Sequence, residues 1–278
     1  MLLIEASQPQ SSKVFSEQIA KVKAAAEALP DLFDIVETNR QSSQQITLVD
    51  DSLLDRPVFV YGSIQFVRDI KVPIFPGPYG MQGTDYATMT AHIPRKLLKN
   101  NDYVFTTWAD LNINFMYWCA MLGSNQLFVR PVSDRKPFAG QTVISGEYAH
   151  KLNLIHSGSS VTGETLCVVA KSKRVYAEFR FFIVDRKIIT HTSYGGFAGT
   201  NNIEFGPDIV KPAEDLARVV AEMEWQPDAA YTCDVTVDYT GEASIIELNS
   251  LSTAGVYNAD VNKLMEAVHS QVLRDYFP

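Results

Sequence analysis

One segment, YTCDVTVDYTGEASIIELNS at residues 231–250, constrains this chain more than any other. Two β-forming runs, Tyr231–Asp238 and Ala243–Asn249, flank the turn residues Thr240-Gly241, so the segment reads as an antiparallel hairpin. Symmetric pairing about that turn sets Asp234 opposite Glu247, on one face. Opposed side chains have Cβ atoms roughly 5 Å apart. Two carboxylates at that spacing among Val235, Ile246 and Leu248 repel one another and lose hydration, so a positive charge belongs between them. Asn249 lies two residues past Glu247 and shares its face. The three side chains offer hard oxygen donors, a set that suits Mg²⁺ with phosphates and waters completing the octahedron. The plain alternative is a solvent-facing hairpin edge whose acids keep the chain soluble.

Two other segments weigh against that alternative. In Tyr176–Val184, YAEFRFFIV, alternation puts Glu178 and Arg180 on one face and Ala177, Phe179, Phe181 and Ile183 on the other. A carboxylate and a guanidinium built into an apolar strand fit ribose hydroxyls and a transferring phosphate or acyl phosphate, although a cross-strand salt bridge has the same pattern. In LFVRPVSDRKPFAG, Arg130 ends an apolar strand and Lys136 stands in a loop before Gly140, where cations reach phosphates.

The rest of the chain supplies the frame. Leu2–Glu5 reads as a first strand. Phe15, Ile19, Val22, Ala26 and Leu29 share a helical face that Pro30 terminates. Pro57–Tyr61 is a second buried strand, and PIFPGPYGMQG at 73–83 is too rich in Pro and Gly for regular structure. From about residue 95 the texture turns to hairpins: strands over Leu127–Val132, Gln141–Ser145, Leu166–Ala170, Tyr176–Val184 and Ile188–Tyr194, with Asp185-Arg186-Lys187 as a tight turn, predict an antiparallel meander. Pro212 is expected to open a helix with Leu216, Val219, Val220 and Met223 on its buried stripe. A last helix buries Val261, Leu264, Met265, Val268 and Val272 after a cap at Asn258 or Asp260.

At 278 residues and 46% hydrophobic, the chain can bury a real core and hold two domains. A net charge of −8 argues against broad binding to nucleic acid or membrane surfaces, both polyanions. No apolar run approaches the roughly 20 residues a bilayer span needs. The apolar start is cut short by Glu5 and lacks a basic leader, so the expectation is a soluble, cytoplasmic protein. Cys119, Cys167 and Cys233 are too far apart for a metal motif and read as reduced core thiols. No phosphate-loop or nucleophile-elbow motif is present.

The order of a strand ending in a cation-Pro pair, a glycine-containing loop, a hinge strand, an E-x-R strand, an Asp and a final E-x-N resembles the ATP-grasp superfamily. The block FVRPVSDRKPFAG is similar to a divergent phage and bacterial clade in which arginine replaces the usual phosphate-binding lysine. The resemblance covers roughly residues 96 to 278. It implies an ATP-grasp fold of two antiparallel-sheet subdomains clasping ATP over 96–278, after a small α/β N-terminal domain over 1–95. It implies ATP and Mg²⁺ as cofactors. Arg130 and Lys136 would hold phosphates, the backbone of 168–171, with Val169 and Lys171, the adenine edge, and Glu178 the ribose. Arg180 would contact the transferring phosphate or the bound carboxylate, and Asp234, Glu247 and Asn249 the metal. Lys96 and Lys99 are candidates for the lysine such enzymes place at the entry to the central domain. Ser252, Thr253 and Tyr257, in the loop after E-x-N, are acceptor contacts. The implied reaction joins a carboxylate to an amine or other nucleophile through an acyl phosphate; the acceptor is a small molecule, an amino acid or a peptide, with a modified nucleotide left open. The alternatives are a kinase acting on a hydroxyl and a nucleotide-binding module without catalysis.

Overall fold

A computed structural model describes residues 1–6, 13–38, 55–70, 73–193 and 204–278. The N-terminal sheet holds β1 (Leu2–Glu5), β2 (Ile35–Thr38), β3 (Val58–Tyr61) and β4 (Pro76–Gly77) in the order β2-β1-β3-β4, all parallel. β1 and β3 are buried throughout, as continuous apolar strands of a parallel sheet must be. Helix α1 (Lys13–Glu27) buries Ile19, Val22 and Ala26 as the spacing predicts. Helix α2 (Ile64–Asp69) starts at Ser63, whose hydroxyl accepts from Phe66 N–H. Helix α3 (Tyr86–His92) is capped by Asp85.

The central sheet contains β5 (Val104–Thr107), β6 (Gln126–Pro131), β7 (Gln141–Ile144) and β8 (Leu166–Lys171) in the order β5-β8-β6-β7. Helices α4 (Trp108–Ile113), α5 (Phe115–Leu122) and α6 (Tyr148–Ser157) cover it, burying Trp108, Leu111, Phe115, Leu152 and Ile155 against Leu127, Val129 and Val169. The C-terminal sheet contains β9 (Ala177–Val184), β10 (Lys187–Ser193), β11 (Ala230–Val237) and β12 (Ala243–Ser250) in the order β10-β9-β11-β12. Helix α7 (Pro207–Glu222) packs on this sheet, and α8 (Val261–Tyr276) joins Leu2, Ile4 and Phe59 to Phe182 and Val184 in one core. The N-terminal sheet is thereby fixed against the sheet that carries the acidic residues.

The expected meander divides in two: β8 pairs with β5 and β6, and β9 pairs with β10 and β11. Helices α4 to α6 had no sequence signal, because FMYWCAML is apolar on nearly every face and shows no helical period. Pro207, not Pro212, takes the first-turn position after Gly206, and Pro212 lies inside α7. The buried stripe there is Ala213, Leu216, Ala217, Val220 and Ala221, while Val219 is 47% exposed. The cap of α8 is Asp260, which accepts from Lys263 N–H. The Asp185-Arg186 turn has both residues at positive φ, as a two-residue hairpin turn requires. Tyr194 lies outside the described residues, and the three cysteines are free and buried.

The Pro/Gly-rich loop at 73–83 locks the N-terminal sheet to the end of β12. Tyr79 N–H donates to Ser252 Oγ at 2.9 Å and Ser250 Oγ donates to the Tyr79 carbonyl at 2.6 Å. Gly80 has φ +75°, and a Cβ there would lie 2.7 Å from Ser250 Cα. Gly80→Ala is therefore expected to cost more than the roughly 1–2 kcal/mol of the left-handed conformation alone. Gly123→Ala supplies the comparison, since Gly123 has φ +64° with nothing within 4 Å. Denaturant unfolding of both variants checks this; equal losses would show that the approach to Ser250 is unimportant.

Candidate active site

The β11–β12 hairpin puts Asp234 opposite Glu247, but not by symmetry about Thr240-Gly241. Val235 pairs with Ile245, so Ile246 is the extra residue of a bulge next to the two carboxylates. Asp234 also pairs with Arg180 on β9, which makes the three residues neighbours across three strands.

Each charge found by sequence has a partner. Asp234 is fully buried; Arg180 Nε donates to its Oδ1 at 2.9 Å and Nη2 to its Oδ2 at 2.8 Å. Arg180 Nη1 also donates to the Gly255 carbonyl at 3.3 Å, and its guanidinium lies 5.7 Å from the Tyr257 ring centroid. Asn249 Nδ2 bridges the carboxylates, donating to Asp234 Oδ2 at 2.9 Å and Glu247 Oε1 at 3.1 Å. Arg130 Nη2 donates to Glu247 Oε2 at 2.5 Å, with its guanidinium 4.9 Å from the Tyr86 ring centroid. Lys136 donates to Glu247 Oε1 at 3.0 Å and Asn249 Oδ1 at 2.7 Å. Burial pushes the Glu247 carboxyl up, but the Arg130 guanidinium and the Lys136 ammonium outweigh it and hold the group far below the usual carboxylate range.

The Lys136 ammonium marks where two oxygens, one anionic and one neutral, converge on a single cation. That donor chemistry fits Mg²⁺. Among the described residues no group of three or more His, Cys, Asp or Glu could hold a metal, so a cation at Glu247 and Asn249 depends on oxygens brought by a ligand.

Two cavities meet at Lys136. The larger, about 470 Å³, is lined by Phe128, Arg130, Lys136, Gly140, Glu178 and Glu247 among others. The smaller, about 220 Å³, is lined by Arg68, Asp134, Lys136, Arg180, Asn249 and the 253–257 loop. Glu178 and Arg180, two residues apart on one strand face, thus serve different cavities. Gly140 permits the loop to lie on Phe128, because a Cβ there would be 2.6 Å from the ring.

Not every expected residue arrives. Val169 is fully buried and its strand β8 is paired on both edges, with Val104 and Val129, so its backbone is taken up by the sheet. Lys171 N–H donates to Asp102. Neither lines the large cavity; Ser172, Lys173 and Val175, just beyond β8, do. Lys99 lines it and Lys96 does not. Thr253 and Tyr257 line the small pocket, whereas Ser252 is buried, its hydroxyl accepting from Tyr79. His191 borders a separate depression with Phe179 and Asn258. Phe128 was missed, although its spacing from Arg130 puts both on one face of β6.

A family model for the ATP-grasp domain, the second family of its clade, matches residues 106–267. The chain belongs to this ATP-grasp family. Solved structures agree on the fold. D-Alanine–D-alanine ligase from Bacillus anthracis complexed with ATP is 15% identical, with 98% of this chain and 96% of that chain covered and a TM-score of 0.59. D-Cycloserine synthetase DcsG is 10% identical, with 98% and 100% covered and a TM-score of 0.60. The ATP-grasp ligase PsnB, complexed with a minimal precursor, Mg and ADP, is 11% identical, with 98% and 96% covered and a TM-score of 0.53. No curated protein sequence matches the chain. The ATP-grasp fold spans the described chain, as a parallel N-terminal sheet followed by two antiparallel sheets. Among the described residues no helix is long and apolar enough to cross a membrane.

Proposed function

We propose that this ATP-grasp protein is an ATP- and Mg²⁺-dependent ligase that activates a carboxylate as an acyl phosphate and passes it to an amine, forming a C–N bond. The observation that carries this reading is the Glu247–Asn249–Lys136 cluster, which opens on a nucleotide-sized cavity on one side and on the Arg180 pocket on the other. Mg²⁺, when bound at Glu247 and Asn249 with Asp234 behind them, supplies positive charge to the phosphates. Arg130 and Lys136 neutralise the remaining charge, and Glu178 accepts from the ribose. Adenine lies along Ser172–Val175. The substrate carboxylate attacks the γ-phosphorus and ADP leaves. An amine then attacks the acyl carbon, inorganic phosphate departs, and Arg180 stabilises the charge that develops on the acyl oxygen. The N-terminal segment, 1–95, acts as the accessory domain.

The test is a thermal-shift titration with AMP-PNP and Mg²⁺, beside Asp234→Asn/Glu247→Gln. At a ligand concentration about 100 times Kd, the native state gains roughly 2.7 kcal/mol. A metal-dependent rise in Tm for wild type, absent in the double variant, is expected. No rise in either would leave a module that has kept the fold without the reaction, and a stable phosphorylated product without an amide would make the protein a kinase.

A further inference from the structure

The small pocket carries an ion pair that the nucleotide site does not use. Arg68 comes from α2 and Asp134 from the loop that bears Lys136, and Arg68 Nη2 lies 2.9 Å from Asp134 Oδ1. Neither residue lines the larger cavity, so neither is a phosphate contact there. Their side chains are 23% and 24% exposed, held by the fold yet reachable from the pocket. The opposite wall is made of short groups, Ser250, Thr253, Ala254 and Gly255, with Arg180 beside them. At about 220 Å³, the pocket is below the roughly 300–1,000 Å³ of sites for drug-sized ligands. Its occupant is small.

An ion pair in a small polar pocket matches a ligand that carries both charges. The ligand's anion takes the guanidinium in a forked pair while its cation takes the carboxylate, so neither protein charge is left desolvated without a partner. We propose that Arg68 and Asp134 are the specificity pair for a free α-amino acid, its carboxylate on Arg68 and its ammonium on Asp134. Asp134 lies two residues before Lys136, which puts the amine on the side of the pocket nearest the phosphate loop. This inference rests on the ligase reading and narrows its acceptor to an amino-acid zwitterion.

The experiment is calorimetric titration of the full chain, saturated with AMP-PNP and Mg²⁺, using each common L-amino acid, glycine and D-alanine, and the carboxamide of any that binds. Wild type is expected to prefer the acid over its carboxamide by about 10- to 100-fold, the range of a charged hydrogen bond. Arg68→Ala should erase that preference while AMP-PNP still raises Tm. Should Arg68→Ala fail to fold, Arg68→Gln keeps the stem and reads the same preference. An Arg68 that is only a strut would lower acid and carboxamide binding equally, which would overturn the proposal. A wild type that binds AMP-PNP but no amino acid would also overturn it and leave the ligase reading standing. Failure of AMP-PNP itself to bind would remove both.

Discussion

Arg180→Ala is expected to lower folding stability by about 3–5 kcal/mol and to abolish ATP turnover, because it removes the guanidinium from a carboxylate that has no access to water. Asp234 is 0% exposed and Arg180 6% exposed, and the pair is forked, with both guanidinium donors at 2.9 Å or less. Truncation leaves the Asp234 charge buried, with Asn249 still donating to it. Urea unfolding measures the loss. Arg180→Met/Asp234→Leu separates folding from chemistry: removing both charges should return most of the stability, since a buried ion pair is worth little against apolar groups of similar size, but should return none of the turnover. A loss below about 1 kcal/mol in Arg180→Ala would mean that Asp234 is protonated or hydrated when alone, and the pair would then have no part in holding the site.

What the sequence disclosed about this site follows from where its signals are local. A strand fixes side-chain direction with a period of two, so Glu178 with Arg180 and Glu247 with Asn249 were legible as same-face pairs. Asp234 against Glu247 was legible because a hairpin pairs neighbours in sequence. The bulge at Ile246 was hidden, since it depends on how β12 meets β11 and not on any turn residue. The hinge was misplaced for a related reason. Val168–Lys171 is a good apolar strand, but its position in the middle of a sheet, which uses up its backbone, is set by β5 and β6 from distant parts of the chain. Arg68 gave no signal at all: it is one cation on a short helix, and only the packing of the N-terminal sheet on β9 and α8 brings it to the pocket. The helices of residues 108–122 were lost to their own apolarity, which erases the period that marks a helix.

Glu247→Gln keeps the shape of the side chain and removes one charge, which makes it the sharper test of how the site handles phosphate. Glu247 receives Arg130, Lys136 and Asn249 at once. With an amide in its place the two cations lose their counterion, the cation position at Asn249 loses its anionic oxygen, and turnover should fall about 10²- to 10³-fold. The same variant predicts a pH effect without any ligand. Arg130 and Lys136 outweigh the upward push of burial and hold the folded-state pKa of Glu247 below its unfolded value of about 4.3. Stability from this depression is therefore present above about pH 4.3 and lost as pH falls below it. Wild type should exceed Glu247→Gln in stability at pH 7, and the gap should narrow through the acid limb of a pH series of urea midpoints. A gap that stays constant from pH 7 to pH 3 would show that the Glu247 charge is not what Arg130 and Lys136 stabilise, and the cation site would have to be sought on Asp234 alone.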